Sequence, residues 1–254
     1  MLQQSSSLSD VAAVSQPHAL GGDGMTRSTN ARLAGTAYLI YMVVGVSNEV
    51  LMSRATSVEG TATTLALIAE HATDVRVTVI LKLCECFAAL VLAVTLYGIT
   101  RDQDRELATL GLVCRAAEGV FVASLIPNRL GLLWLANVRA GVAGGPDVGT
   151  TNALGAFLLM PGGSIADIFF AVGSAIFSYL LLRGRMVPVS LARWGVLSSA
   201  LLVVGLPLQL AGFFTGPLTG YQWVPAIVFA PVLALWLLIK GVAAPGHDAH
   251  RQPS

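Results

Sequence analysis

Long blocks of apolar residues with very few charges inside them dominate this sequence. Of its 254 residues, 55% are hydrophobic and only 11% are charged, whereas soluble domains carry roughly 25% charged residues. A helix of about 20 apolar residues is long enough to cross the hydrocarbon core of a bilayer. Since all backbone polar groups must be bonded internally within such a core, the pattern predicts an all-α, polytopic membrane protein.

We predict six membrane-crossing helices separated by polar connectors. They make up a membrane domain over residues 31–242, flanked by disordered tails at 1–30 and 243–254, which are rich in small and polar residues. The six predicted spans are 33–52, 77–99, 107–125, 164–182, 195–214 and 223–239.

Three further segments are too short or too interrupted to be assigned as spans. Residues 61–71 are predicted to form a short helix at the surface. Residues 130–138 are too short to cross the bilayer, so they either extend the third helix or lie at the interface with Trp134 at headgroup level. Residues 153–160, before Pro161, form either a partial, re-entrant or interfacial helix, or an apolar loop.

The second and third apolar blocks each carry a cation and a carboxylate three residues apart. These pairs are Lys82 with Glu85, and Arg115 with Glu118. Residues three apart share one face of a helix. Charges inside a span are costly and tend to face a bundle interior or a water-filled cavity. We therefore predict that these two helices, joined by the polar turn 100–106, form a hairpin around which the other spans pack.

The two charged pairs fall at overlapping depths in the bilayer. Measured from the outer edge of a core about 30 Å thick, Lys82 and Glu85 lie at roughly 8 and 12 Å. On the antiparallel third helix, Glu118 and Arg115 lie at roughly 13 and 18 Å. Cross-helix pairs of Lys82 with Glu118 and of Glu85 with Arg115 are then within reach, as are the pairs within each helix.

Two more carboxylates lie toward the same edge, Glu49 near the end of the first span and Asp167 in the first turns of the fourth. Four carboxylates therefore face two cations. The two carboxylates left over are protonated, extend to the interface, or hold a cation. For Glu49 and Asp167 we favour an interfacial position. The predicted cluster in the outer half of the bundle comprises Lys82, Glu85, Arg115, Glu118, Glu49 and Asp167.

Three interpretations of this cluster differ in function. In the first, a structural or regulatory membrane subunit, the charges order helix packing. It predicts that Glu85→Gln and Arg115→Met each weaken the protein and partly compensate when combined. In the second, a small transporter or ligand-binding membrane protein, the cluster holds a small ligand or a cation. The third, an intramembrane enzyme, is disfavoured because the sequence contains no GxSxG or HExxH motif.

Composition gives no reason to expect a metal, a cofactor or a nucleic acid. The net charge is +1 and no basic run is present, so the expected partner is the lipid bilayer. The histidines all lie outside the predicted spans, and the cysteines form no CxxC motif and are interpreted as small apolar residues. These residues are His18, His71, His247 and His250, and Cys84, Cys86 and Cys114.

The distribution of Lys and Arg predicts the orientation, because these residues are enriched in cytoplasmic loops. The side that holds both termini carries the larger number, so both termini are predicted to be cytoplasmic. That side holds Arg27, Arg32, Arg101, Arg105, Arg183, Arg185, Arg193, Lys240 and Arg251, and the other holds Arg54, Arg76, Arg129 and Arg139.

Four stretches resemble the bacterial membrane family catalogued as domain of unknown function 4386. ARLAGTAYLIYMVVGVSNEV is similar to that family's first span, which ends in an acidic residue, here Glu49. LVCRAAEGVF resembles its third span, with an Arg-x-x-Glu pair at Arg115 and Glu118. FSYLLLRGRMVPVSLARWGVL and ALWLLIKGV resemble the region from the fourth span to the fifth, and the C-terminal end. Together the four stretches fall within about residues 30–242.

The resemblance implies a six-helix bundle in a bacterial cytoplasmic (inner) membrane, and it implies no particular activity. Two positions depart from the family pattern. Ala230 stands where members often carry an acidic residue, and Asp167 lies in a region where many carry a histidine. The prediction is therefore an integral membrane protein whose substrate, if any, the sequence does not specify.

Overall fold

The computed structural model describes residues 27–139, 145–159, 165–213, 216 and 218–243. Within these residues the secondary structure consists of ten helices and no β-strand, which confirms the predicted all-α class. The helices are α1 (Arg27–Ala55), α2 (Thr61–Glu70), α3 (Ala72–Thr100), α4 (Arg105–Ala123), α5 (Ile126–Arg139), α6 (Val148–Leu158), α7 (Ile165–Arg183), α8 (Val189–Leu210), α9 (Leu218–Tyr221) and α10 (Val224–Ile239).

Six helical segments within the described residues are long and apolar enough to cross a membrane, as predicted. Five of them are built on α1, α3, α7, α8 and α10, and the sixth joins α4 to α5. Their large outward-facing side chains are mainly aliphatic and aromatic, among them Val43, Ile80, Val120, Leu197 and Ile239. Such a surface suits contact with lipid tails rather than with water.

The six spans pack as a closed ring. Around it, α1 contacts α3, α3 contacts α4, α4 contacts α7, α7 contacts α8, α8 contacts α10, and α10 returns to α1. The largest cluster of buried apolar residues lies inside the ring near the ends where α1 begins and α10 finishes, and it includes Leu96, Ile99, Leu180 and Leu237. Interior polar groups must therefore find partners within the ring.

A second layer, formed by α2, α5 and α6, lies at the opposite end of the ring. These helices contact one another, and α5 also contacts α3. Met52, Leu65, Ile68, Leu132 and Leu135 form the buried apolar cluster of this layer. The predicted short helix 61–71 is thus α2, residues 130–138 lie within α5, and residues 153–158 lie in α6.

Several helix ends differ from the predicted ones. The helix α1 begins at Arg27, so residues 27–30 are helical rather than part of a tail, and α3 begins at Ala72 instead of residue 77. The helix α8 begins at Val189, inside the connector 183–194 predicted between the fourth and fifth spans, because Pro188 accepts the first helical hydrogen bond and Leu191 is buried. The predicted tail residues 1–26 and 244–254, and the break at Pro161, lie outside the described residues.

Candidate functional site

Arg115 and Glu118 form the most deeply buried ion pair among the described residues. Both lie on α4, one turn apart, and each residue is only 1% exposed. Nη1 of Arg115 lies 2.6 Å from Oε2 of Glu118. Two charges taken out of water this completely are tolerated only when each compensates the other. The pair predicted from the three-residue spacing is therefore present within α4.

Tyr41 connects this pair to α1 across the interior of the ring. Its hydroxyl donates a hydrogen bond to Oε1 of Glu118 over 2.6 Å. The ring order places α3 between α1 and α4, so the contact joins two helices that are not neighbours. The two oxygens of Glu118 therefore serve different partners, Oε2 facing Arg115 on its own helix and Oε1 accepting from α1.

Aromatic rings from two helices surround the Arg115 guanidinium. Its Cζ atom lies 5.3 Å from the ring centre of Tyr41 and 4.8 Å from that of Phe170 on α7. The two rings are almost parallel, with centres 6.3 Å apart. A cation within about 6 Å of an aromatic ring centre is attracted by the ring's quadrupole, more strongly where water is excluded. Arg115 thus contacts α1 and α7 as well as Glu118.

Gly173 gives Arg115 its space beside α7. A β-carbon at this position would lie 2.8 Å from Cγ and from Cδ of Arg115, closer than carbon atoms approach one another without displacement. The absence of a side chain at Gly173 therefore lets the stem of Arg115 pass directly over the α7 backbone.

Lys82 and Glu85 form a second pair, on α3. Nζ of Lys82 lies 2.9 Å from Oε2 of Glu85, and each side chain is 8% exposed. Glu85 also lies within electrostatic range of Tyr41 and Glu118. The second pair is consequently a neighbour of the first, and it is slightly less buried.

The cross-helix pairs that the sequence left open do not form among the described residues. Lys82 is not within ion-pair distance of Glu118, nor is Glu85 within that distance of Arg115. The reason is local geometry, because a spacing of three residues brings each cation to the carboxylate one turn away. The remaining oxygen of Glu118 is already occupied by Tyr41.

Glu49 and Asp167 lie at the edge of this group rather than in its centre. Glu49 is exposed and accepts a hydrogen bond of 3.1 Å from Nδ2 of the buried Asn48. Asp167 is half-buried in the first turn of α7, within electrostatic range of Glu118. The structure thus brings Lys82, Glu85, Arg115 and Glu118 together and places the other two predicted residues at their margin.

Arg129 belongs to the same region, although the sequence assigned it to a connector. It is half-buried on α5, within electrostatic range of Glu49 and Glu85. With this third cation, the surplus of carboxylates over cations falls from two to one. The signal that could have identified it was the apolar segment around it, Leu125 to Leu135, which indicates a helix packed against the bundle.

Sequence reasoning also missed Tyr38, Tyr41 and Phe170, because aromatic residues in an apolar span look like ordinary core or lipid-facing residues. The only available signal was spacing, since Tyr38 and Tyr41 lie three residues apart and share a face of α1. No three His, Cys, Asp or Glu side chains are grouped to hold a metal ion within the part of the chain that the structure describes.

Tyr41→Phe should lower the free energy of unfolding by about 1–2 kcal/mol, because it removes an interhelical hydrogen bond to a buried carboxylate. Unfolding by SDS in mixed micelles would measure the change. Tyr179→Phe is the matched control, since Tyr179 is 45% exposed and its loss should change the free energy by less than about 0.5 kcal/mol. Equal effects of the two variants would contradict the bond's assigned role.

Comparison with known proteins places most of the chain in one family model. The model described as Domain of unknown function (DUF4386) matches residues 33–241, which run from within α1 to just beyond the end of α10 and include every residue of the charged group. No curated protein and no solved structure matches the chain.

Proposed function

We propose, for a chain that belongs to the family described as Domain of unknown function (DUF4386), that the buried charges order the packing of its membrane-crossing helices. The observation that carries this proposal is the contact of Tyr41, Glu118, Arg115 and Phe170, which joins α1, α4 and α7 through the interior of the ring. On this view the protein is an integral membrane protein with a structural or regulatory role.

The physical support is the cost of a misplaced charge in an apolar surrounding. Lipid tails solvate leucine as well as a helix neighbour does, so apolar burial alone discriminates poorly between alternative packings of membrane helices. An ion pair with partners on other helices does discriminate. Arg115 and Glu118 both lie on α4, so rotation or sliding of α4 would keep their ion pair but would break the contacts with Tyr41 on α1 and Phe170 on α7. Rotation would also turn the charges toward lipid tails, where they are costly. The best-attested role of a buried polar group of this kind is to fix the register of packed helices.

The second ion pair offers a test that leaves Arg115 in place. Lys82→Met should lower the free energy of unfolding by about 1–3 kcal/mol, less than a loss of Arg115, because the Lys82–Glu85 pair is more exposed. Combination with Glu85→Gln should recover part of that loss. SDS unfolding and the yield of folded protein would measure the single and the double variant. If the losses of the two single substitutions simply added in the double variant, the result would count against an ordering role.

A second candidate is a small transporter or ligand-binding protein. It is favoured by the two carboxylates at one rim of the cluster, since Glu49 is exposed and Asp167 is half-buried. In liposomes this candidate predicts cation or proton flux that Glu85→Gln abolishes. Equal flux through the wild type, the Glu85→Gln variant and empty liposomes would eliminate it.

We further propose a bacterial cytoplasmic membrane, with both termini inside. The bundle end that holds the start of α1 and the end of α10 also holds Arg101, Arg105 and Arg183, and such basic residues are enriched on the cytoplasmic side. In a variant lacking the native cysteines, Asp102→Cys should be shielded from an impermeant thiol reagent in intact cells. Ser57→Cys, at the opposite end, should react, and the reverse pattern would contradict this orientation.

A further inference from the structure

The Arg115 guanidinium has more hydrogen-bond donors than the protein satisfies. It carries five N–H groups, and Nε, Nη1 and Nη2 are all buried without a hydrogen-bond partner among the described residues. The 2.6 Å contact of Nη1 with Glu118 is an ion pair whose N–H bonds do not point along the line to the oxygen. Buried donors in native proteins are almost always satisfied, by protein or by ordered water.

A small cavity lies beside Arg115 in the interior of the ring. Its volume is about 20 Å³, and its polar lining residues are Tyr38, Arg115, Ser174 and Ser178. The rest of the wall is leucine and phenylalanine. Within the described part of the chain, the hydroxyls of Tyr38, Ser174 and Ser178 make no hydrogen bond. Four residues whose polar side-chain groups lack a hydrogen-bond partner therefore line one cavity.

The sequence explains why the hydroxyls line up with the guanidinium. Phe170, Ser174 and Ser178 are spaced by four residues and so form one face of α7, the face whose Phe170 ring contacts Arg115. Gly173 on the same helix lets the stem of Arg115 lie against the backbone. Tyr38 lines the cavity from α1, so the polar lining residues belong to three helices, α1, α4 and α7.

We propose that this cavity is a binding site for one water molecule, which completes the hydrogen bonding of Arg115. A volume of 10–15 Å³ or more is needed to hold a water, and an ordered water needs two to four polar partners. The water would accept from a guanidinium N–H and donate to hydroxyl oxygens of α7 or α1. An organic ligand is too large, since pockets for such molecules measure about 300–1,000 Å³.

The inference rests on the proposed ordering role, because the water would extend the contacts of Arg115 from Glu118 to the serines of α7. It can nevertheless fail while that role holds. If Tyr41 and Glu118 are energetically coupled but the cavity is empty, only the water site is wrong. If the water is present but Tyr41 and Glu118 are not coupled, the ordering role is wrong and the site stands.

The direct test is a map of the wild-type protein in lipid nanodiscs at a resolution that shows ordered water. The expected result is a single spherical peak within about 3.2 Å of an Arg115 nitrogen and of Oγ of Ser174 or Ser178. An empty cavity, or guanidinium nitrogens bonded only to protein atoms, would overturn the proposal. An elongated density too large for water would overturn it as well.

A matched pair of variants tests the same site in solution. Ser174→Thr and Ser174→Val add side chains of the same shape, but only Thr keeps a hydroxyl for the water. The Ser174→Val variant should have a Tm about 3 °C below that of the Ser174→Thr variant. This difference should vanish when both variants also carry Arg115→Met. A difference that persists without Arg115, or that is absent in the wild-type background, would contradict a water shared by Ser174 and Arg115.

Discussion

Arg115→Met should lower the free energy of unfolding by about 3–5 kcal/mol, the largest loss expected from any single substitution in the charged group. The carboxylate of Glu118 is 1% exposed and would keep only the hydrogen bond from Tyr41. It would then have to remain charged in an apolar interior or take up a proton, and either outcome costs free energy. SDS unfolding in mixed micelles gives the magnitude.

The matched partner of this substitution is Glu118→Gln, which removes the charge and keeps an oxygen that can accept from Tyr41. The double variant should be more stable than the sum of the single losses predicts, by about 1.5–3 kcal/mol. The control is the double variant of Arg115→Met and Glu85→Gln, in which the two single losses of free energy should add to within about 0.5 kcal/mol. Stronger coupling of Arg115 to Glu85 than to Glu118 would contradict the ion pairs described here.

The ion pairs in the structure differ from the cross-helix pairing that the sequence suggested. The expected compensation between Glu85→Gln and Arg115→Met assumed a possible contact between the second and third spans. In the structure each of those residues belongs to a different ion pair. Compensation is therefore expected within each helix, between residues one turn apart.

Gly35→Ala should cost about 2–3 kcal/mol, because it separates the two helices that close the ring. A β-carbon on Gly35 would lie 2.6 Å from the carbonyl oxygen of Ala234 and 2.7 Å from the amide nitrogen of Leu238 on α10. Both are backbone atoms, so no side chain can rotate to make room. Small residues that allow such an approach are a recurrent feature of membrane helix interfaces.

Gly220→Ala is the control for this prediction. A β-carbon there would meet nothing within 4 Å, and the change should alter the free energy of unfolding by less than about 0.5 kcal/mol. The two variants are compared by SDS unfolding and by the Tm in the same detergent. If Gly35→Ala were as mild as Gly220→Ala, the close contact of α1 with α10 would be wrong.

The spans and the charged pairs were predictable because each depends on residues close together in the sequence. A run of apolar residues is a local property, and so is the three-residue spacing that unites Lys82 with Glu85 and Arg115 with Glu118. The helix that starts at Val189 was missed for a related reason, since the charges of the segment 183–194 suggested a loop while Leu191 and Ala192 are buried.

What the sequence did not predict depends on the ring order of the helices. The contact of Tyr41 with Glu118 requires α1 and α4 to face each other across the interior, which no local pattern specifies. Arg129 lies near the charged group because of the way α5 packs against α3. Gly35 lies four residues after Ala31, a small-residue spacing found at close helix contacts, but nothing in the sequence identified α10 as the partner.

The separation between the Tyr41 hydroxyl and the Glu118 carboxylate, measured in a high-resolution map of the protein in lipid, tests the central claim most directly. The account predicts a hydrogen bond of about 2.6 Å between these oxygens, with Arg115 beside the same carboxylate and all three side chains inside the ring. A map in which Glu118 points toward lipid tails, or in which Tyr41 lies beyond hydrogen-bond reach of it, would contradict the account.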